Sequence, residues 1–252
     1  MKLDDVKKLH QKKYRKQLGY YLVEGEHLIL ELEKAALKQP YLNGVTLYVT
    51  DNYQQWAAQL ASHFTVVSVT TKQMAQLSDT KTPQGIIACV PLPLMKPEAL
   101  SQKEQSHGQQ QRCIYLHEVQ DPGNLGTIIR TLAWFGNFRL LISANSVDPF
   151  NSKVVRASMG AIFHVPLELD ISLEDLQERF TNFAYLDMQG NSISSEKFTN
   201  YDCYLFGNEA RGVPFEALSA FNADAFTIKG SGCIDSLNLA SAVNICAYRL
   251  SS

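Results

Sequence analysis

Asn124 and Arg130 are two polar side chains whose spacing would allow them to act at one site. They follow the segment HEVQDPG, in which Pro122 and Gly123 bend the chain tightly. On a helix their separation is about 1.7 turns, so both side chains can point toward the same end of a site. Such a site would combine amide hydrogen-bonding groups with a fixed positive charge. Taken singly, Asn124 can also be interpreted as a helix cap and Arg130 as a surface charge.

A second polar segment, GNEARGVP, follows an apolar run at residues 203–206. Gly207 would let a ligand approach the backbone closely, while Glu209 and Arg211 are charges that are unfavourable to leave unpaired beside a buried strand. The glycine spacing resembles a phosphate-binding loop, but Val213 stands where that loop requires lysine, which excludes it. The sequence also lacks GxGxxG, which disfavours a dinucleotide-binding enzyme.

A third polar segment, KGSGCIDSLN, precedes the final helical run. Gly230 and Gly232 offer open backbone groups, and Ser236 and Asn238 come at the predicted start of the helix. Capping of the helix accounts well for Ser236 and poorly for Asn238. Asn238 is therefore a candidate site residue.

The elements between these segments predict a parallel α/β sheet. The run at 124–135 has apolar residues at helical spacing and ends at Gly136. Continuous apolar strands joined by helices are typical of a parallel sheet covered on both faces, and ligands bind at the carboxyl ends of its strands. The predicted strands are 113–117, 138–143, 183–187, 203–206 and 225–229.

The first part of the chain predicts a separate, small α/β domain. Prolines and then a Gln/Ser-rich run follow it, a composition that cannot bury enough apolar surface to fold and is typical of a linker. We expect domains at 1–95 and 112–252, joined by a linker at 96–111. The predicted elements of the first domain are helices at 24–38 and 51–62 and strands at 45–50, 65–70 and 85–90.

Composition disfavours several classes of protein. The 5 Cys and 6 His are dispersed, without the spacing of a disulfide framework or a metal site, so we expect no metal. No apolar run approaches the ~20 residues of a membrane span, and the charged N-terminus lacks a signal segment, so we expect a cytoplasmic protein without a membrane partner.

The net charge of −2 disfavours a general nucleic-acid binder. Basic residues nevertheless cluster in the N-terminal segment, as a solvated helix face or a phosphate-binding arm: Lys2, Lys7, Lys8, Lys12, Lys13, Arg15 and Lys16.

Taken together, the three polar segments resemble the signature motifs of the SpoU (TrmH-type) family of the SPOUT superfamily, which are RNA 2′-O-ribose methyltransferases. The order and approximate separations of the motifs also match, as does KVVRASMGAIFHVP at 153–166. EGEHLILEL and SDTKTPQGIIACV resemble the start and end of the ribosomal-protein-like RNA-binding domain that many members carry. The matching motif residues are Asn124, Gly126 and Arg130, then Gly207, Asn208, Glu209 and Gly212, then Ser236, Leu237, Asn238 and Ala242.

The resemblance implies methyl transfer from S-adenosylmethionine to a ribose 2′-hydroxyl in structured RNA, by a C-terminal domain folded into a trefoil knot. It implies that Arg130 acts on this hydroxyl, either as the base or by binding the adjacent phosphate and orienting the hydroxyl. Because a guanidinium keeps its proton at neutral pH, we favour orientation. Glu209 would hold Arg130 or Asn124, or pass the proton onward. The implied catalytic residues are Arg130, Asn124, Glu209, Ser236 and Asn238. The implied cofactor-binding residues are Phe206, Gly207, Ile228, Ser236 and Leu237.

The resemblance also implies partners. Members are homodimers through the catalytic domain, and Leu239, Val243 and Ala247 of the final helix fit such packing or packing within the monomer. The extra domain favours large-subunit (23S) ribosomal RNA over transfer RNA. The alternatives are a tRNA 2′-O-methyltransferase, or a non-catalytic RNA-binding or ribosome-assembly factor on the same fold. A nucleotide-dependent oxidoreductase is disfavoured by the missing fingerprint loop.

Overall fold

The computed structural model of the chain describes residues 1–60, 64–93 and 111–252. Counting these residues only, the chain forms two compact units. One consists of the described residues within 1–93 together with Asp148–His164, and the other of residues 111–147 together with Val165–Ser252. The linker predicted at 96–111 lies outside the described residues, apart from residue 111. The predicted second domain, 112–252, includes residues 148–164, which the structure groups with the first unit. The domain boundaries stay a prediction.

The first unit contains a four-stranded mixed sheet. Its strands are β1 (Tyr20–Glu24), β2 (Thr46–Val49), β3 (Thr65–Ser68) and β4 (Ile86–Pro91). In the order β1-β4-β2-β3, β2 and β3 are parallel, whereas β4 is antiparallel to β1 and β2. The helices are α1 (Leu3–Lys8), α2 (Lys12–Leu18), α3 (Glu26–Ala36), α4 (Gln54–Ala58) and α5 (Thr71–Leu77), with 3₁₀ turns at Pro40–Gly44 and Asp51–Tyr53.

The helix predicted at 24–38 is shorter in the structure, because Gly25 separates β1 from α3. The φ angle of Gly25 is +107°, a region that L side chains rarely adopt, so the glycine marks the junction. After it, α3 follows helical periodicity and buries one side. The strand β1 was not predicted, since its apolar run is only a few residues long. The buried residues of β1 and α3 are Tyr21, Leu22, Val23, Leu28, Ile29, Leu32, Ala35 and Ala36.

The second unit contains a six-stranded sheet whose neighbouring strands are all parallel, which confirms the predicted parallel α/β architecture. Its strands are β5 (Arg112–Leu116), β6 (Phe138–Ile142), β7 (Leu167–Leu169), β8 (Phe183–Ser192), β9 (Cys203–Phe206) and β10 (Ala223–Thr227). Their order in the sheet is β10-β8-β9-β5-β6-β7. The helices from this part of the chain are α6 (Pro122–Phe135), α7 (Ser152–Ala157, in the first unit), α8 (Leu173–Arg179), α9 (Phe215–Leu218) and α10 (Leu239–Ser251), with 3₁₀ turns at Ala161–Phe163 and Glu196–Asn200.

The strand β7 was not predicted, and its central residue Glu168 is the reason. A charged residue interrupts the apolar run by which a buried strand is recognised. Glu168 is nevertheless only 7% exposed, because Arg139 and Arg179 pair with its two carboxylate oxygens at 3.1 and 2.6 Å. The five strands that were predicted in this sheet overlap β5, β6, β8, β9 and β10.

Helix α6 has one buried and one exposed side. Its N-cap is Asp121, Pro122 occupies the first turn, and Gly136 follows its end. The buried side includes Leu125, Ile128 and Ile129, and α6 also packs against α10. No helix among the described residues is both long enough and apolar enough to cross a membrane.

Within the first unit, residues 148–164 are anchored by a buried ion pair. The Arg15 side chain is 4% exposed, and its Nε and Nη2 donate to Asp148 Oδ2 at 2.9 and 2.6 Å. Its Nη1 donates to the carbonyl oxygens of Leu9 and His10 at 2.8 and 2.9 Å. Arg15 therefore has a structural role, although it belongs to the basic N-terminal segment.

Lysines of the same segment lie at the surface. Lys8 pairs with Asp5 at 2.9 Å, and the ammonium groups of Lys8 and Lys13 each lie 5.8 Å from the centre of the Tyr14 ring. A phosphate-binding arm would therefore use the lysines and Tyr14, and not Arg15.

We expect Arg15→Ala to lower the free energy of unfolding of the full chain by about 3–5 kcal/mol, because it leaves the Asp148 carboxylate buried without its partner. Urea denaturation followed by tryptophan fluorescence measures this loss. Lys12→Ala, an exposed change in the same helix, should shift stability by less than about 0.5 kcal/mol. An Arg15→Ala loss as small as that of Lys12→Ala would contradict the buried pair.

Candidate active site

The three polar segments lie at the carboxyl ends of strands of the second unit. Here loop 1 denotes residues 117–121, loop 2 residues 207–214 and loop 3 residues 228–238, which follow β5, β9 and β10 respectively. Because β5 and β9 are parallel neighbours, loops 1 and 2 start side by side, and the backbone N–H of His117 donates to the Phe206 carbonyl at 2.9 Å. Loop 3 leads into α10, which packs on the helix that follows loop 1.

The carboxylate of Glu209 ties loop 2 to loop 1 and to the start of α6. Its Oε2 accepts from the backbone N–H of Gln120 at 3.1 Å, and its Oε1 from the backbone N–H of Asp121 at 3.1 Å. Oε1 also accepts from Asn124 Nδ2 at 3.3 Å. Of the two partners expected for Glu209, the structure therefore brings Asn124 into contact and not Arg130. Three donors therefore hold the Glu209 carboxylate at the junction of loop 2 with loop 1 and α6.

The side chain of Asn124 continues the network to loop 3. Its Oδ1 accepts from Asn238 Nδ2 at 2.9 Å, and Asn238 Oδ1 accepts from the backbone N–H of Ser241 at 3.2 Å. Asn238 is thus the N-cap of α10, so the expectation that Ser236 caps this helix was wrong. The helix begins at Leu239, and Ser236 lies outside its first turn. A single amide side chain therefore both caps α10 and joins two motifs.

The interpretation of Asn124 as a helix cap was also wrong. Asp121 caps α6, and its Oδ1 accepts from the backbone N–H of Asn124 at 2.7 Å. Pro122 favours the first helical position, because its fixed φ suits a helix and it lacks an N–H to satisfy there. The amide side chain of Asn124 is therefore free to bind Glu209 and Asn238.

Arg130 and Ser236 stand apart from this network. Arg130 is exposed on α6, and its side chain makes no hydrogen bond or ion pair with the residues that the structure describes. Ser236 is exposed in loop 3, likewise without a hydrogen-bond partner in the described part of the chain. The structure thus brings together Asn124, Glu209 and Asn238 and leaves Arg130 and Ser236 facing solvent.

Loop 2 is a tight turn that closes on its own backbone. Asn208 and Gly212 exchange two backbone hydrogen bonds of 2.9 Å, and a Cβ on Gly207 would meet the carbonyl carbon of Gly212 at 2.2 Å. We predicted that Gly207 allows a ligand to approach the backbone closely. In the structure, glycine is required here because any larger residue would clash with the backbone of Gly212. The buried Asn208 side chain accepts from the N–H groups of Ala210 and Arg211 at 2.9 and 3.0 Å.

The predicted cofactor residues differ in exposure. The Phe206 side chain is buried, so only its backbone can contact a ligand, whereas Leu237 is 44% exposed. Gly207 and Ile228 are half-buried.

Next to Ile228, a bulge in β8 that sequence periodicity did not predict exposes Met188. The Met188 carbonyl accepts from Thr227 Oγ1 at 3.3 Å. Gly190 was the available signal, since a Cβ there would lie 2.6 Å from the Ala225 backbone. 

The cysteines of the second unit differ in exposure, and the exposed, free Cys233 lies in loop 3. Cys113, Cys203 and Cys246 are free and buried, and burial raises the pKa of Cys113 and Cys246 to about 12, which keeps both thiols protonated at neutral pH. Among the described residues, no group of three or more His, Cys, Asp or Glu is arranged to hold a metal ion. The network itself offers the amide side chains of Asn124 and Asn238 and the carboxylate of Glu209.

Two family models match the chain. The model of the SpoU rRNA methylase family matches residues 111–248, which include all three loops. The model of the MRM3-like substrate binding domain matches residues 2–88.

Similarity to known proteins extends over nearly the whole chain. It is 28% identical to the 23S rRNA (guanosine(2553)-2′-O)-methyltransferase RlmP of Bacillus subtilis, with 99% of this chain and 95% of that protein covered. It is 30% identical to an uncharacterized tRNA/rRNA methyltransferase of Synechocystis, with 96% of this chain and 88% of that protein covered. A crystal structure of an AdoMet-bound rRNA methyltransferase from Sinorhizobium meliloti superposes with a TM-score of 0.75 at 27% identity, covering 98% of this chain and 93% of that one.

We expect Glu209→Gln to loosen the junction of loops 1 and 2, because the new amide nitrogen cannot accept from an N–H group. The free energy of unfolding should fall by about 1–2 kcal/mol. In hydrogen exchange, the amides of Gln120 and Asp121 should exchange about tenfold faster than in the wild type, since this corresponds to about 1.4 kcal/mol of local opening.

Glu196→Gln is the matched control for this change. It replaces an exposed glutamate whose side chain has no hydrogen-bond partner among the described residues, so neither quantity should move. Unchanged exchange at Gln120 and Asp121 in Glu209→Gln would contradict the network.

Proposed function

The chain belongs to the SpoU rRNA methylase family, and we propose that it transfers a methyl group from S-adenosylmethionine to a ribose 2′-hydroxyl of large-subunit (23S) ribosomal RNA. The observation that carries this proposal is the hydrogen-bonded chain from Glu209 through Asn124 to Asn238, which joins all three motifs. It lies at the carboxyl ends of parallel strands, where such sheets bind their ligands.

Comparisons with both units support the choice of ribosomal RNA. The relative from Bacillus subtilis is named for 2′-O-methylation of a 23S rRNA guanosine, and the similarity covers 99% of this chain. The match to a substrate binding domain at residues 2–88 supports a role of the first unit in holding the RNA. We therefore assign RNA recognition to the first unit and methyl transfer to the second.

S-Adenosylmethionine, when bound, supplies an activated methyl group. The surface around loops 2 and 3 fits such a ligand, because Leu237 offers exposed apolar surface to a flat base. Open backbone is available as well, since nothing lies within 4 Å of the position that a Cβ on Gly230 would take. The residues proposed to hold the cofactor, largely through their backbone, are Phe206, Gly207, Ile228, Ser236 and Leu237.

Arg130 is proposed to bind the RNA phosphate next to the target ribose and to orient the 2′-hydroxyl. Its exposed guanidinium carries five N–H donors and has no partner in the described part of the chain, so the whole group is available to RNA. Because a guanidinium keeps its proton at neutral pH, orientation is the role that its chemistry supports. Correct positioning alone can contribute up to about 7–11 kcal/mol to the lowering of a barrier.

Asn124, Glu209, Ser236 and Asn238 are proposed to form the polar floor beneath the ribose. Glu209 acts by holding the amide of Asn124, since its carboxylate already accepts three hydrogen bonds. The network would thus fix the floor while Arg130 meets the RNA.

We propose further that the second unit forms a homodimer. Large apolar side chains on α6 and α10 are exposed to solvent, with exposures of 84% for Trp134, 65% for Tyr248 and 39% for Ile245. Exposed aromatic residues of this kind are enriched in protein interfaces. Val243 and Ala247 are fully buried within the monomer, so the proposed interface uses their exposed neighbours instead.

The trefoil knot and the cytoplasmic location stay proposals as well. The sheet order is compatible with a knot, because β10 is at one edge while α10 returns to pack on α6, which follows the central strand β5. A knot also requires the chain to thread through a loop, and this threading is implied by the resemblance to the SpoU family.

Transfer RNA is the second candidate substrate, since the relative from Synechocystis is named for both RNAs. Transcripts of 23S rRNA and tRNA, offered separately as acceptors of a radiolabelled methyl group, distinguish the two. Methylation of tRNA alone would overturn the ribosomal assignment. Labelling of neither RNA would favour a non-catalytic RNA-binding or ribosome-assembly factor.

In the same assay we expect Arg130→Ala to lower methyl transfer at least about a hundredfold, a loss of about 2.7 kcal/mol in transition-state stabilisation. Calorimetry should show unchanged affinity for S-adenosylmethionine, because Arg130 is proposed to contact only RNA. Arg249→Ala removes a guanidinium from the last turn of α10 and should keep methyl transfer within about twofold of wild type. Turnover near the wild-type rate in Arg130→Ala would contradict the proposed role.

A further inference from the structure

An open cleft lies beside loop 2, on side chains that the proposed methyl-transfer site does not use. Its volume is about 470 Å³. It belongs entirely to the second unit, and it has no residue in common with the proposed cofactor site. The lining residues that matter here are His117, Glu118, Arg211, Pro214, Phe215 and Glu216.

The lining of the cleft includes an exposed aromatic residue, Phe215. Phe215, the first residue of α9, is 65% exposed and follows the half-buried Pro214. An aromatic face open to solvent in a concave site is suited to stacking against a flat ring, and every nucleobase offers one.

The lining also includes Glu118, whose backbone has an unusual conformation. Glu118 has a φ of +49°, which is uncommon in residues other than glycine. Three side chains stabilise this conformation: Ser143 Oγ accepts from the Glu118 N–H at 2.7 Å, and Asn208 Nδ2 and Gln120 Nε2 donate to its carbonyl at 2.7 and 2.9 Å. The Glu118 carboxylate accepts from Arg211, so a negative and a positive group lie side by side at the edge of the cleft.

His117, another lining residue, has a ring nitrogen without a partner among the described residues. His117 Nδ1 is buried and makes no hydrogen bond with any residue that the structure describes. Burial lowers the pKa of His117 more than neighbouring Glu118 raises it, which favours the neutral ring. A neutral imidazole nitrogen can accept or donate one hydrogen bond, according to the tautomer.

We propose that this cleft holds an unpaired base of the RNA, in a nucleotide adjacent to the one that is methylated. The proposal rests on the proposed function. The base would stack on Phe215, while Glu118, Arg211 and His117 hydrogen-bond to its edge, as in recognition of single-stranded RNA. A phosphate fits less well, because Glu118 and Glu216 place two carboxylates in the lining.

Loop 2 explains why the base would be a neighbour of the target. Arg211 lies in the cleft, whereas Glu209, two residues earlier in the same tight loop, contacts Asn124 of the proposed ribose site. Because Asn208 and Gly212 pair through their backbones, the two sides of the loop are held at a fixed separation. A base in the cleft would therefore set the register of the RNA relative to the proposed ribose site.

The test compares Phe215→Ala and Phe215→Tyr in the full chain, with an in vitro transcript of 23S rRNA as the probe. Removal of one stacking contact should raise KM for the RNA and weaken RNA binding in a filter assay, each by about tenfold. We expect kcat within about threefold of wild type and unchanged calorimetric affinity for S-adenosylmethionine, and Phe215→Tyr, which keeps the ring, should restore KM. Gln177→Ala, which truncates an exposed neutral side chain on α8 of the second unit, is the control and should change none of these quantities.

The outcomes separate this inference from the proposed function. If the wild type methylates the transcript and Phe215→Ala leaves both KM and RNA affinity unchanged, the cleft does not bind a base. Weaker binding of S-adenosylmethionine in Phe215→Ala would assign the cleft to the cofactor and overturn the inference. If the wild type transfers no methyl group but Phe215→Ala still weakens RNA binding, the base site stands and the proposed function fails.

Discussion

One carboxylate determines how the ends of the parallel strands come together. Glu209 accepts two backbone N–H groups and one side-chain amide from the opposite loop, so loop 2 cannot move away from α6 without breaking three hydrogen bonds. Asn124 then passes the constraint to Asn238, the N-cap of α10. Three segments that are far apart in sequence thus form one rigid polar surface. Arg130 is exposed on α6 and makes no hydrogen bond or ion pair with the described residues.

The strand order makes this convergence possible. Because β9 lies next to β5 in the sheet, loops 1 and 2 are in contact. Because α10 packs on α6, the loop that precedes α10 lies near the start of α6. Thr131 of α6 also bonds to Asn244 of α10, so the two helices are joined by a polar contact as well as by apolar burial. Loop 2 has a side facing each site, with Glu209 at the proposed ribose site and Arg211 at the cleft.

Local patterns predicted much of this architecture, and long-range partners account for what they missed. The apolar run at 203–206 coincides with β9, and the helical periodicity at 124–135 identifies most of α6. By contrast, β7 was not predicted, because Glu168 interrupts its apolar run. The two arginines that allow Glu168 to be buried, Arg139 and Arg179, lie in or near other elements and cannot be identified as its partners from local sequence. The caps were assigned to the wrong residues, since Ser, Asp and Asn are all good caps and only the folded chain decides which side chain reaches the N–H groups. The motif residues were found by resemblance, whereas their mutual hydrogen bonds required the structure.

The most direct test of the account is a double-mutant cycle on methyl transfer to 23S rRNA, with Glu209→Gln, Asn238→Ala and the variant that combines them. Residues that act as one unit are strongly non-additive in such cycles. If the Glu209–Asn124–Asn238 chain holds the ribose site as a single surface, the double variant should be barely slower than the slower single variant. Losses that multiply, as for two independent sites, would contradict it.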